Sequence, residues 1–74
     1  MLMNMKRTFN AVIKKEGRWW IGWVEEVPGV NSQGKTRLEL LENLRSALQE
    51  ALEMNRASAL EAAGTGYEEM PIPV

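Results

Sequence analysis

Residues 18–24, Arg-Trp-Trp-Ile-Gly-Trp-Val, decide the fold. Aromatic and β-branched residues of this kind are typical of a β-strand, whose successive side chains point to opposite faces of a sheet. One face therefore takes the large residues Trp19, Ile21 and Trp23, and the other takes Trp20, Gly22 and Val24. A sheet with one solvated face is apolar on one side only. This strand instead predicts a sheet with two apolar faces.

The flanking sequence supplies two more strands. Lys6 to Lys15 alternates apolar and polar residues, and Glu16-Gly17 is a turn signal, so this segment and Arg18–Glu25 form a β-hairpin. Pro28-Gly29 breaks the chain, since proline lacks the N–H that a strand donates and glycine permits a tight turn. Val30–Gln33 is then a short third strand that ends at Gly34.

A long helix follows the strands. Thr36 and Glu39 form a capping box, in which each side chain bonds a backbone N–H at the start of the helix. A leucine stripe continues at helical spacing to about Ala63, and Gly64 is suited to end the helix. In the tail 64–74, residues 67–74 can add a short edge strand, because Pro71 and Pro73 exclude a central one. The predicted class is α+β, with the order β-β-β-α and a final β left open.

A chain of 74 residues is one domain. Residues 6–63 are predicted to form its core, with 1–5 as an N-terminal extension. Folding of so short a chain buries only about 60% of its unfolded surface. Without cysteine or histidine it has neither a disulfide nor an ordinary zinc site to stabilise it. Small domains of this kind often gain stability by oligomerising.

The net charge of −1 hides an uneven distribution. Residues 1–24 carry five basic residues against one glutamate, and residues 25–74 carry four against nine. A mixed, solvated surface is one interpretation. The other is that the acidic helical half faces a basic partner.

One helix covers only one face of a sheet, so an apolar face is left for another chain. We predict that this face is Trp19, Ile21 and Trp23, because Gly22 on the other face leaves room for close packing of the helix. Contiguous exposed apolar patches usually mark interfaces, although single surface tryptophans are also normal. The expected partners are the chain itself, as a homodimer or higher oligomer, and a basic protein.

No catalytic constellation is present, so an enzyme is not expected, and neither a cofactor nor a metal is. The usual bases and nucleophiles need histidine or cysteine. Glu39 and Glu42 lie one helical turn apart and could in principle hold a hard cation, but capping explains Glu39 better. With neither a signal peptide nor a membrane span in the sequence, the predicted location is cytoplasmic.

Several short motifs, in their order and spacing, resemble the HicB antitoxin family. They are Phe9–Ile13, Glu16–Gly22, Val27-Pro28-Gly29-Val30, Gly34-Lys35-Thr36 and Glu39–Leu44. The resemblance covers about residues 6 to 55, and it departs from the family at Leu40, where alanine is usual.

The resemblance implies a partial ribonuclease-H-like fold without nuclease activity. It also implies that the domain neutralises a small basic HicA-type toxin, which cleaves mRNA, by covering the toxin's active surface. Many HicB proteins carry a C-terminal DNA-binding segment. The residues after the helix are too few for one, so direct DNA binding is not expected. Two other interpretations stay open: an orphan homo-oligomeric domain without a toxin, and an enzyme or ligand-binding domain with an unrecognised site.

Overall fold

The structure, a computed structural model, describes residues 8–73. The predicted N-terminal extension, residues 1–5, lies outside that range. Three strands and one helix follow in the order β1 Ala11–Glu16, β2 Trp19–Val24, β3 Asn31–Gly34 and α1 Arg37–Ala63. The strands form one antiparallel sheet in the order β1-β2-β3. The predicted α+β class with the order β-β-β-α is confirmed.

The β1–β2 hairpin turns through Gly17-Arg18. Gly17 has a φ of 62°, a value that suits glycine at the first central position of a tight hairpin turn. β1 begins at Ala11, so residues 8–10 of the predicted strand lie outside it, and residues 6 and 7 of that prediction lie outside the described range. The backbone pairing ends at Asn10: its carbonyl still accepts from the N–H of Glu25 at 2.9 Å, but its backbone N–H and its amide Nδ2 donate to the two carboxylate oxygens of Glu26, at 2.9 and 2.7 Å.

The Pro28-Gly29 turn joins β2 to β3. The N–H of Val30 donates to the carbonyl of Val27 at 3.2 Å, and Gly29 has a φ of 91°. Proline followed by a glycine of positive φ is the sequence that a type II turn requires. β3 then begins at Asn31, and Gly34 is its last residue, where the sequence suggested a terminator.

Thr36 begins the helix. Its hydroxyl oxygen accepts from the N–H of Glu39 at 3.0 Å. Glu39 reaches back one residue further than in a standard capping box, because its carboxylate accepts from the N–H of Lys35. At the other end, the N–H of Gly64 donates to the carbonyl of Leu60 at 3.1 Å. The predicted start and end of the helix are both confirmed.

Small residues let α1 lie close to β2 and β3. A methyl group added at Gly34 would meet the backbone nitrogen of Leu40 at 2.6 Å, and one added at Gly22 would meet Leu40 Cδ2 at 3.3 Å. The amide of Asn43 also donates to the carbonyl of Gln33 at 2.9 Å. Among the described residues, the buried apolar side chains are Val24, Val30, Leu40 and Leu44, and Leu40 is fully buried. The core is therefore small.

The helix is longer than the core that it covers. Its 27 residues span about 40 Å, but its contacts with the core end at Ala51. The tail folds back along the outer part, where Arg56 and Glu69 pair at 2.8 Å. No strand forms in residues 64–73, so the final edge strand left open by the sequence is absent there. Pro71 and Pro73 each lack a donor for a ladder, and the Glu69 pair with Arg56 holds this part of the tail beside the helix.

Candidate interaction surface

The sheet face opposite α1 is uncovered. We call it the open face; its strand residues lie in cross-strand register and are Val12, Lys14 and Glu16 of β1, Trp19, Ile21 and Trp23 of β2, and Asn31 and Gln33 of β3. Trp19 is 41% exposed and Trp23 is 43% exposed, while Val12 and Ile21 are half-buried. Neighbouring side chains on the sheet shield part of each ring. The open face is therefore a continuous apolar strip with polar edges.

The alternation within β2 explains which tryptophan the helix takes. Trp20 is half-buried and packs against the core, beside Gly22 and Val24 on the helix side. The three residues predicted for the interface, Trp19, Ile21 and Trp23, all lie on the open face. The structure brings them together in one row of β2, at the centre of the sheet.

The charges on the open face balance. Lys14 Nζ lies 3.5 Å from Glu16 Oε2, and both side chains are more than half exposed. Asn31 and Gln33 on β3 are neutral. An exposed pair of this kind contributes little to stability, but it leaves the apolar strip without a net charge.

The predicted motif residues lie elsewhere and shape the backbone. Pro28 and Gly29 form the turn before β3, and Gly34, Thr36 and Glu39 fix the start of the helix. None of them lies on the open face. Glu39 is held in the cap, which argues against its use with Glu42 as a cation site.

A second apolar surface was not predicted. A groove of about 210 Å³ lies between the start of β1 and α1, with Phe9, Ala11, Leu41 and Leu48 among its lining residues. It exists because α1 packs chiefly over β3 and β2 and leaves the β1 side open. The sequence carried one signal of it, the leucine stripe, which is broader than the covered sheet needs.

The outer side of α1 and the tail are acidic. Residues 36–73 hold three arginines against seven glutamates, for a net charge of −4. Glu42, Glu50, Glu53 and Glu61 are exposed along the helix. Glu50 and Glu53 border a shallow hollow with Gln49 and Leu52. This surface is suited to a partner of positive charge.

Within residues 8–73, no group of three or more acidic, histidine or cysteine side chains lies close enough to hold a metal ion. Over the same range, no helix has both the length and the apolarity that crossing a membrane requires. The Glu25-Glu26 pair lies in the turn after β2, where Glu26 binds Asn10.

Comparison of the chain with known protein families, with characterised proteins and with solved structures found no match. The resemblance to HicB thus gains no support from relatives and remains an interpretation of the motifs.

Proposed function

We propose that this chain is a protein-binding domain without catalytic activity. The observation that carries the proposal is the open face, where Trp19, Ile21 and Trp23 form an apolar strip on the far side of the sheet from α1. The two exposed ring fractions, 41% and 43%, correspond to about 200 Å² if a free tryptophan exposes roughly 250 Å². Burying that area stabilises by about 5 kcal/mol per chain, before the cost of association.

The form of protein binding that we propose is that of an antitoxin. The HicB-like motifs suggest it, and the charge of α1 agrees with it, because a HicA-type toxin is small and basic. Such a toxin would lie against the acidic outer side of the helix, with its mRNA-cleaving surface covered. The proposed setting is the cytoplasm, where mRNA is the target of the toxin.

The cheapest test is the gene neighbourhood. A short open reading frame for a basic protein beside this gene supports an antitoxin, and its product is the probe for the next step. That product should cleave mRNA when it is alone and should stop cleaving when an equimolar amount of this chain is added.

Charge reversal tests where the toxin lies. Glu50→Lys/Glu53→Lys should weaken toxin binding and its dependence on salt, because two exposed acidic side chains of the helix change sign. Lys15→Glu/Arg18→Glu is the matched control, with two exposed residues of the β1–β2 hairpin reversed outside the open face. Inhibition that is unaffected by the helix variant would argue against this surface.

An orphan homo-oligomer is the alternative, and the balanced charge of the open face favours it. A genome without a basic neighbour, or a neighbour whose RNA cleavage this chain leaves unchanged, would favour that alternative over the antitoxin.

A further inference from the structure

The open face is an apolar surface, and its charge and cross-strand register indicate which molecule binds it. Its charged strand residues, Lys14 and Glu16, already pair with each other at 3.5 Å, so the face offers nothing to a strongly basic protein. The acidic side of α1 does offer a basic protein a surface of opposite charge. We infer that the open face binds the open face of a second copy. The toxin binds the acidic side of the helix instead, and this division of the two surfaces rests on the proposed function.

The size of the face agrees with a weak dimer. Three strands about 4.8 Å apart, of which the longest have six residues at about 3.3 Å each, give a footprint of at most roughly 14 by 20 Å. This is well below the roughly 800 Å² per partner of a standard interface. The two tryptophans are large anchors at its centre, which is where binding energy concentrates. The expected affinity is therefore weak, with a dissociation constant on the order of ten to a hundred micromolar.

The cross-strand register selects the arrangement of the two copies. Lys14, Ile21 and Gln33 form the middle row of the face. A two-fold axis across the strands would place Lys14 on Lys14 of the second copy, and like charges in contact oppose association. An axis along β2 places Lys14 opposite Gln33 and Trp19 opposite Trp19. The second arrangement is the one that we propose, as two sheets packed face to face.

Sedimentation velocity of the full chain at concentrations around and above the expected dissociation constant tests the dimer. The wild type should associate, and Trp19→Ala/Trp23→Ala should raise the dissociation constant by roughly tenfold or more. The matched control is Leu38→Ala/Met54→Ala, which removes two large apolar side chains that are each 66% exposed on α1. This control should associate like the parent. Far-ultraviolet circular dichroism reports whether each variant is folded, and in the double tryptophan variant the fluorescence of Trp20 does so as well.

Cross-linking tests the arrangement of the two copies. Because the chain has no cysteine, a thiol reagent reacts only with the cysteines that are introduced. A chain with Val12→Cys and a chain of different mass with Asn31→Cys should be joined by a short bismaleimide when mixed, because the axis along β2 sets these two positions opposite each other and leaves Lys14 in place. Neither should be joined to itself. Linking of the Val12→Cys chain to a Glu16→Cys chain instead would overturn the axis along β2.

The outcomes separate this inference from the proposed function. A wild type that stays monomeric, or a tryptophan variant that associates as well as its parent, overturns the dimer and leaves the toxin assay to judge the antitoxin. A dimer that forms through the edges of the two sheets would leave the association of the tryptophan variant unchanged. A tryptophan variant that loses toxin binding while it keeps association would assign the open face to the toxin and would overturn the inference.

Discussion

Gly34 is the position where one methyl group should disturb the fold most. It is the last residue of β3, and its backbone is extended, so alanine meets no dihedral penalty there. Space is the limit. A Cβ at this position would lie 2.6 Å from the backbone nitrogen of Leu40 and 3.0 Å from the carbonyl carbon of Glu39. Both are backbone atoms of the first helical turn, so the helix itself would have to move.

The magnitude follows from two opposing terms. Forcing an extra carbon into a packed contact costs about 1–3 kcal/mol. Replacing glycine by alanine restricts the unfolded chain, which stabilises by about 0.4–1 kcal/mol. Gly34→Ala should therefore lower the free energy of unfolding by roughly 1–2 kcal/mol. The measurement is the midpoint of urea unfolding followed by helical circular dichroism, with the m-value checked for constancy.

Gly17 is the matched control, because the limit there is conformational. A Cβ at Gly17 would meet nothing within 4 Å, but φ is 62°. Asparagine tolerates that region better than alanine does. Gly17→Asn should thus cost less than Gly17→Ala, whereas Gly34→Asn should cost more than Gly34→Ala. An unchanged or higher midpoint for Gly34→Ala would refute the close approach of α1 to β3.

Three further results are expected. Thr36→Ala should cost about 1 kcal/mol, since the Glu39 N–H loses its acceptor, whereas Thr65→Ala in the exposed tail should leave the urea midpoint unchanged. Arg56→Ala should change the unfolding free energy by about 1 kcal/mol at most, because the Arg56–Glu69 pair is exposed; a larger loss would mean that the tail supports the fold. The purified chain should not cleave RNA with or without magnesium, and a cleavage activity that disappears on mutation of a glutamate would contradict the proposal.

Local signals in the sequence were enough to predict the three strands and the helix, since each of these elements depends mainly on neighbouring residues. Thr36 and Gly64 mark the helix ends because a cap satisfies backbone groups within one turn. The start of β1 was misplaced because it depends on Glu26, 16 residues away in sequence. The alternation of residues along a strand gives no information on a contact between residues so far apart in sequence.

The open face was predictable because β2 alternates and because Gly22 favours the side of the helix. The groove beside β1 was not, since it depends on where the helix lies across the sheet. Close approach at Gly22 and Gly34 draws α1 towards β2 and β3, and Phe9 and Ala11 remain beside an opening. Sequence periodicity gives the apolar side of a helix but not its lateral position.

The small core makes one last result decisive, the dependence of thermal stability on protein concentration. The helix side of β2 and β3 carries small residues such as Gly22, Ser32 and Gly34, while Trp19 and Trp23 lie on the open face. The exposed parts of these two rings, 41% and 43%, are thus buried only if another chain covers them. Unfolding that separates two chains is opposed by mass action, so the melting temperature rises with concentration.

A tenfold increase in concentration should shift the equilibrium by about 1.4 kcal/mol. Two chains of 74 residues at about 2.1 cal/mol/K per residue have an unfolding entropy of about 310 cal/mol/K. The melting temperature should then rise by about 4 °C per tenfold above the dissociation constant. Calorimetry of Trp19→Ala/Trp23→Ala over the same range should show no rise. A wild-type melting temperature that is constant from micromolar to millimolar concentrations would mean that one chain is stable without a partner, on a core to which residues 8–73 contribute four buried apolar side chains, and the dimer would be refuted.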